Sequence, residues 1–370
     1  MFSNEAGTTR TSFQVGGPTG VRLSLSAGVL RTRNAADTAF ADLYTGNLQA
    51  NNPTVGVNDA GAIIANGVVR HGTGVQSYGV GTGAVIGTAR GSGASDLQTT
   101  RTAANQVASG VGSFVAGVSN RASGDYATAL GQTNVASNTA STAIGALCTS
   151  SGIGSTALGN GTTASGDGST AMGTGSQATA TGATAGGNTA IASGVGATAF
   201  GTTVSATADY STALGTNSIA DLRGALAVSG GSIAANSDSQ TMIATLGGTT
   251  TDATPGTLGL DGVLNSASEL ILTSNTAWAF RLQVALEITG GGTGKVLLFT
   301  GGIRRPGAGA AVFIGGVAPV ASTTIQDAGL VAATLVLSAP GGGTLRFTAT
   351  GIAATTINWT ATIWLAKVAG

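Results

Sequence analysis

The sequence predicts an all-β protein: a parallel β-roll of 14-residue coils followed by a C-terminal β-sandwich or jelly-roll-like domain. Three observations carry this expectation. Thr-Ala-x-Gly recurs without a slip at Thr128, Thr142, Thr156, Thr170, Thr184, Thr198 and Thr212. A second small-residue motif keeps the same step half a period away, as in Ala108-Ser109-Gly110, Ala122-Ser123-Gly124, Ala164-Ser165-Gly166 and Ala192-Ser193-Gly194. From Ala279 the pattern changes to strict alternation, with Phe280, Leu282, Val284, Leu286 and Ile288 set against Arg281, Gln283, Ala285 and Glu287. A fixed period marks stacked units, and period 2 marks half-buried strands.

A 14-residue coil has room for two short strands and two tight turns, with Gly supplying the backbone angles that the turns demand. It has no room for a helix and a strand. Stacking pairs each strand with its equivalent one coil on, at about 4.8 Å, so the backbone satisfies its own donors and acceptors along the axis. A flexible Gly/Ser/Ala/Thr linker would not keep register over seven turns. Each coil offers one large apolar residue as its candidate core: Leu130, Ile144, Leu158, Met172, Phe200 and Leu214, with Gly186 skipping its turn. One Leu-sized side chain contributes about 1.5 to 3 kcal/mol, against about 1 kcal/mol or more for ordering each residue. A lone roll is therefore marginal, and the expectation is a homo-oligomer that buries its remaining Ala, Val and Thr faces on assembly.

Charge is sparse. From Ala108 to Asp221 the charged residues are Arg121, Asp125, Asp167, Asp209 and Asp221. Asp125, Asp167 and Asp209 recur every third coil and so share one face, read as solvated. Over the whole chain the formal net charge is zero and no Lys/Arg cluster stands out, which argues against a nucleic-acid partner. With 42% hydrophobic and 8% charged residues, the composition lies outside the disordered class. The single cysteine, Cys148, excludes an internal disulfide framework and reads as packing.

The segment from Met1 to Thr8 has neither a basic n-region nor an apolar h-region, and no run of 18 apolar residues occurs, so neither export nor membrane insertion is expected. Catalytic chemistry is not expected either. His71 is the sole histidine and Arg70-His71-Gly72-Thr73 carries no nucleophile motif, so it reads as a loop residue. Along one chain the three aspartates lie about 14 Å apart, too far for a glycan-cleaving carboxylate pair. Gly-x-Gly strings near Gly79 to Gly83 lack the Lys-Ser/Thr of a phosphate loop. No catalytic, cofactor or metal residue is assigned. Trp278, Trp359 and Trp364 are candidates for tip packing or receptor contact.

The pattern Ser-Thr-Ala-Leu-Gly-x-x-x-x-Ala-Ser-Gly-x-x-Ser-Thr-Ala resembles the head repeats of trimeric autotransporter adhesins, over roughly a third of the chain. That resemblance implies a homotrimer and a left-handed roll. Asn275-Thr276-Ala277-Trp278-Ala279-Phe280, Gly301-Gly302-Ile303-Arg304-Arg305 and Leu345-Arg346-Phe347-Thr348-Ala349-Thr350-Gly351 with Thr356-Ile357-Asn358-Trp359 resemble the C-terminal domain of tailed-phage fibre proteins, from which Gly307 to Ala321 departs in its Gly and Ala content. Gly28-Val29-Leu30-Arg31-Thr32-Arg33-Asn34-Ala35-Ala36 is similar to the short modules that join such fibres to the virion.

Together these resemblances imply a phage tail fibre on the virion surface, non-enzymatic and without cofactor. Residues 1–55 would attach to other virion proteins, 56–106 form an irregular Gly-rich β region, 107–221 the roll, 222–266 a hinge, and 267–370 a β domain that meets a host-surface glycan or protein. The alternatives are an architectural capsid or collar fibre or decoration protein without receptor binding, and an exported bacterial adhesin.

Overall fold

The computed structural model describes residues 90–232 and 239–369 throughout, and before them six short strands. Ser12–Gln14, Arg22–Ser26 and Val29–Arg33 form an antiparallel three-stranded sheet within a separate unit, Met1–Asn58. The segment expected to attach to the virion otherwise lies outside the described residues. Of the expected irregular region, Ile63–Ala65, Val68–His71 and Gly74–Ser77 pair antiparallel with one another, and Ser95–Thr100 runs parallel to the first full coil.

The repeats build a β-solenoid. Nine five-residue strands, from Phe114–Val118 to Leu226–Gly230, stack in parallel with each residue paired to its equivalent 14 positions on, as Thr142 to Thr156 and Gly145 to Gly159. Eight two-residue strands, from Arg121–Ala122 to Ile219–Ala220, form a second parallel stack. Ala129, Ala143, Ala157, Ala171, Ala185, Ala199, Ala213 and Ala227 of the long strands are fully buried, as are Ala122, Ala136, Ala164, Ala178, Ala192, Ala206 and Ala220 of the short ones. The interior of the coils is thus mostly a layer of methyl groups, with Val115 and Ser150 in two of the inward places.

The Gly of Thr-Ala-x-Gly sets how closely the coils stack. Gly159 has φ +132°, and a Cβ placed on it would lie 2.0 Å from the carbonyl oxygen of Gly173 in the next rung. No L side chain fits either condition.

A buried polar column runs along one turn and was not read from the sequence. Gln98 Oε1 accepts from Asn120 N, Asn120 Oδ1 from Asn134 N, and Asn134 Oδ1 from Cys148 N, at 2.6, 2.8 and 2.9 Å. Each Asn also donates through Nδ2 to two backbone carbonyls, Asn134 to Leu130 at 2.7 Å and Gly145 at 2.8 Å. Cys148 occupies the next place in this column. Its thiol lies 3.4 Å from the Ile144 carbonyl and 3.1 Å from that of Gly159, and it accepts from Thr162 Oγ1 at 3.2 Å. Buried turns must satisfy their backbone groups, and here a side chain from each coil does so for the next.

At the start of the roll Ser95–Thr100 pairs in parallel with Gly74–Ser77, and fully buried Asp96 pairs with Arg101 at 2.7 Å and Arg90 at 3.1 Å. At the far end the amide of Gln240 accepts from Ile219 N and donates to Ile219 O, both at 2.9 Å, standing where another coil's peptide would be. An open sheet edge invites further pairing, and this amide blocks it.

The long-strand sheet does not stop there. Leu226–Gly230 pairs in parallel with Thr212–Thr216 on one side and antiparallel with Ser239–Thr250 on the other, with Ala227 opposite Met242. The expected hinge at 222–266 is therefore corrected: it holds the last rung and the first 12-residue strand of the C-terminal domain. From Ser239–Thr250 the sheet continues through Ile357–Ala369, Thr276–Ile288 and Gly294–Arg305, all antiparallel. Val312–Phe313 and Thr323–Gln326 flank its edge. A second sheet gathers Pro255–Thr257, Leu270–Ile271 and Thr334–Ser338 around Thr344–Thr350. Leu282, Phe299 and Ile363 of the first sheet share a buried core with Leu337, Leu345 and Phe347 of the second.

Substituting Gly159→Ala is expected to destabilise the roll by about 2 kcal/mol or more, from left-handed strain and displacement of the Gly173 carbonyl. Denaturant unfolding followed by circular dichroism measures it.

Candidate association face and neck

The sequence placed the large residue of each coil in the core, and the structure reverses that arrangement. In a strand of Thr-Ala-x-Gly-x the Ala points inward and its neighbour points out. Leu158 is 42% exposed and Phe200 39%, while Leu130, Ile144, Met172 and Leu214 are half-buried. Val228 extends the row at 44%. The physical reason is space: rungs spaced by direct backbone stacking leave only methyl-sized room between the two strands of a coil. From Leu130 to Val228 the row climbs eight rungs at about 4.8 Å each, roughly 34 Å from first to last. Burying the exposed remainder of such a side chain contributes on the order of 1 kcal/mol per rung.

A second edge mixes exposed apolar side chains, Val111, Ile153 and Val195 with Tyr126 and Tyr210, with carboxylates that staple the coils. Asp125, Asp167 and Asp209 each accept, through Oδ1, from the backbone N–H one coil earlier, on Val111, Ile153 and Val195, at 2.9, 2.8 and 3.0 Å. The sequence put these carboxylates on one face, and the structure adds that each ties two coils together. Asp209 also pairs with Arg223 at 2.9 Å, and the Arg223 guanidinium lies 4.8 Å from the centre of the Tyr210 ring.

Where the roll meets the C-terminal domain, a cleft of about 540 Å³ is lined by Asp221 and Arg223 of the last coil and by Glu269, Leu272, Ser274 and Arg305 of the domain. Arg305 donates to the carbonyls of Leu272 and Gly309, and Glu269 holds Arg346 through both carboxylate oxygens. Asp221 Oδ1 is buried with no hydrogen-bond partner in the protein. Burial pushes the Asp221 carboxyl up from 3.8, against the opposing pull of Lys367. Burial likewise pushes the Lys367 ammonium down from 10.5, against Asp221.

The three tryptophans separate. Trp278 and Trp359 are 0% and 2% exposed within the sandwich core, and Trp359 Nε1 donates to Thr250 Oγ1 at 2.9 Å. Their burial excludes receptor contact. Trp364 is half-buried on the outer face of the first sheet, flanked in register by Ile243 and Arg281. The stretch departing from the fibre pattern, Gly307 to Ala321, carries highly exposed Val317 and Val320. Among the described residues no group of three or more His, Cys, Asp or Glu could hold a metal ion. The side chain of His71 lies outside the described residues.

A β-solenoid with an apolar outer row and a β domain fused to its end defines a repeat fibre of adhesin-like build. The model of the YadA head domain repeat (2 copies) matches residues 108–134, 122–147, 150–176, 164–190, 192–218 and 206–228, less than half of the chain. A solved tailspike protein of Acinetobacter phage vB_ApiP_P1 is similar at 10% identity, covering 78% of this chain. The chain spans 60% of that protein's length, and the TM-score of 0.19 carries no argument about fold or function. No curated protein matches the chain.

Because folding raises the Asp221 pKa, its stabilising contribution is full below pH 3.8 and is lost as the pH rises through the raised value. Asp221→Asn, neutral at every pH, is expected to be at least as stable as the native chain at pH 7. That difference closes on acidification, as read by denaturant unfolding over a pH series.

Proposed function

We propose that this chain is the subunit of a homotrimeric fibre, a phage tail fibre, whose roll forms a stiff shaft and whose C-terminal β domain meets the host surface. The single observation that carries the reading is the outward row from Leu130 to Val228, an apolar stripe with the pitch of the repeat itself, which three copies would turn toward a common axis. The YadA-type head repeats support the trimer. The uninterrupted sheet from the last rung into the domain supports a rigid shaft, since Leu226–Gly230 belongs to both. The resemblance of the C-terminal segments to phage fibres supports the virion setting.

The work is mechanical and adhesive, with no reaction and no cofactor. A trimeric tip engages several weak sites at once, so modest contacts to a glycan or protein suffice through effective concentration. Trp364 with Arg281, and the exposed Val317 and Val320, are the candidate contact groups. The N-terminal strands would join other virion proteins.

Adsorption competition tests this. An excess of the purified chain is expected to block attachment of the phage that encodes it, and antibody against the C-terminal domain is expected to decorate the tips of its tail appendages. Unimpaired adsorption together with labelling of the capsid or collar would replace the reading with an architectural one. Labelling of an intact bacterial surface in the absence of phage would replace it with an exported adhesin.

A further inference from the structure

The row that faces outward raises a problem that its regularity creates. Two stacks with the same pitch fit each other in register, and they fit nearly as well when one chain slides by a coil, about 4.8 Å. In sheets and coiled coils alike, register is weakly specified wherever the repeating face is uniform, and a single irregular position can fix it. From Leu130 to Met172 the row is uniform: Leu, Ile, Leu, Met.

One irregularity interrupts it. Gly186 carries no side chain, and the next rung carries Phe200, directly paired with it. Gly within a strand is costly and needs a reason. Gly187, its neighbour, has φ +118°, which only Gly adopts with ease. Gly186 has no such φ, so its backbone would accept another residue. The constraint is steric. A Cβ at Gly186 would lie 2.2 Å from Cε1 and 2.5 Å from Cδ1 of Phe200, so the aromatic ring folds back across the bare rung. Phe200 remains 39% exposed there, whereas Gly186 is buried beneath it. One ring therefore fills the space of two rungs, at one height along the row.

We propose that the Gly186–Phe200 pair is the register key of the association between copies of this chain, an inference that rests on the trimer reading above. In register, the rings of all copies lie at one level, where every chain spreads one side chain over two rungs. After a slip of one coil, a ring meets the fully occupied Met172 or Leu214 rung of its neighbour and overpacks it. The aliphatic rungs then supply affinity, and the aromatic step supplies specificity against the slipped alternatives.

The test uses full-length chains of two tags, co-expressed, one carrying Thr174→Cys and the other Asn188→Cys, positions that are exposed and paired on adjacent rungs. A short bismaleimide joins them, and peptide mass spectrometry separates 188-to-188 links from 174-to-188 links. Buried Cys148 stays unmodified. With the native row, same-rung links are expected to dominate. With Gly186→Leu and Phe200→Leu combined, which make the row uniform, the share of adjacent-rung links is expected to rise about tenfold, the ratio an ordinary overpacked contact sets. Phe200→Tyr keeps the ring and is expected to keep the native pattern. Phe200→Leu alone leaves a gap without a clash, so it reads out slippage should the double variant fail to fold. A trimer whose link ratio is the same in all variants overturns the register proposal alone. A monomeric native chain without links overturns the fibre reading and this proposal with it.

Discussion

Direct stacking of each coil on the next is the constraint from which the rest of this structure follows. Where Gly159 passes beneath Gly173, a carbonyl oxygen occupies the place of a Cβ, and the same approach recurs at each Thr-Ala-x-Gly. That closeness gives the long strands their unbroken pairing, but it also thins the coil until its interior holds methyl groups. Methyl burial contributes about 0.8 kcal/mol per carbon and falls short of the cost of ordering 14 residues. The backbone ladder and the Asn, Cys and Thr column supply part of the balance. The large apolar side chains, having no room inside, become the outer face.

The same geometry explains the ends. A stack of parallel strands offers open edges: at the start the sheet continues into Gly74–Ser77 beside the buried Asp96 ion pairs, and at the finish the Gln240 amide closes the short-strand stack. At the finish the closure is also a continuation. The long-strand sheet turns antiparallel at Ser239–Thr250 and becomes one wall of the sandwich, so force applied at the domain passes into the roll through strand hydrogen bonds. Near this neck burial raises the Asp221 carboxyl and lowers the Lys367 ammonium, each opposed by the other's charge.

Much of the fold was legible in the sequence because the period is exact to the residue. The roll, the alternating strands after Ala279 and the common face of Asp125, Asp167 and Asp209 all follow from spacing. What spacing does not say is which side of a strand faces in. Thr-Ala-Leu-Gly reads as one large residue among small ones, and burial of the largest was the natural expectation for Leu130 to Leu214. Only the distance between coils shows that Ala fits and Leu does not. The expected hinge at 222–266 lacks the strand that the structure shows there because the pairing of Ser239–Thr250 with Ile357–Ala369 joins segments more than 100 residues apart, which local pattern does not reveal. The polar column could have been found by aligning coils, since Asn120, Asn134, Cys148, Thr162 and Ser176 fall one period apart. Among the tryptophans, alternation alone could not tell Trp364 from Trp278 without knowing which face of the sheet the second sheet covers.

The native mass of the purified chain in solution, by light scattering, tests the central claim most directly. The apolar row predicts an oligomer and the YadA-type head repeats imply that it is a trimer, so the expected particle is three chains of 35.4 kDa, about 106 kDa. A stable monomer that leaves the Leu130 to Val228 row in water would contradict it.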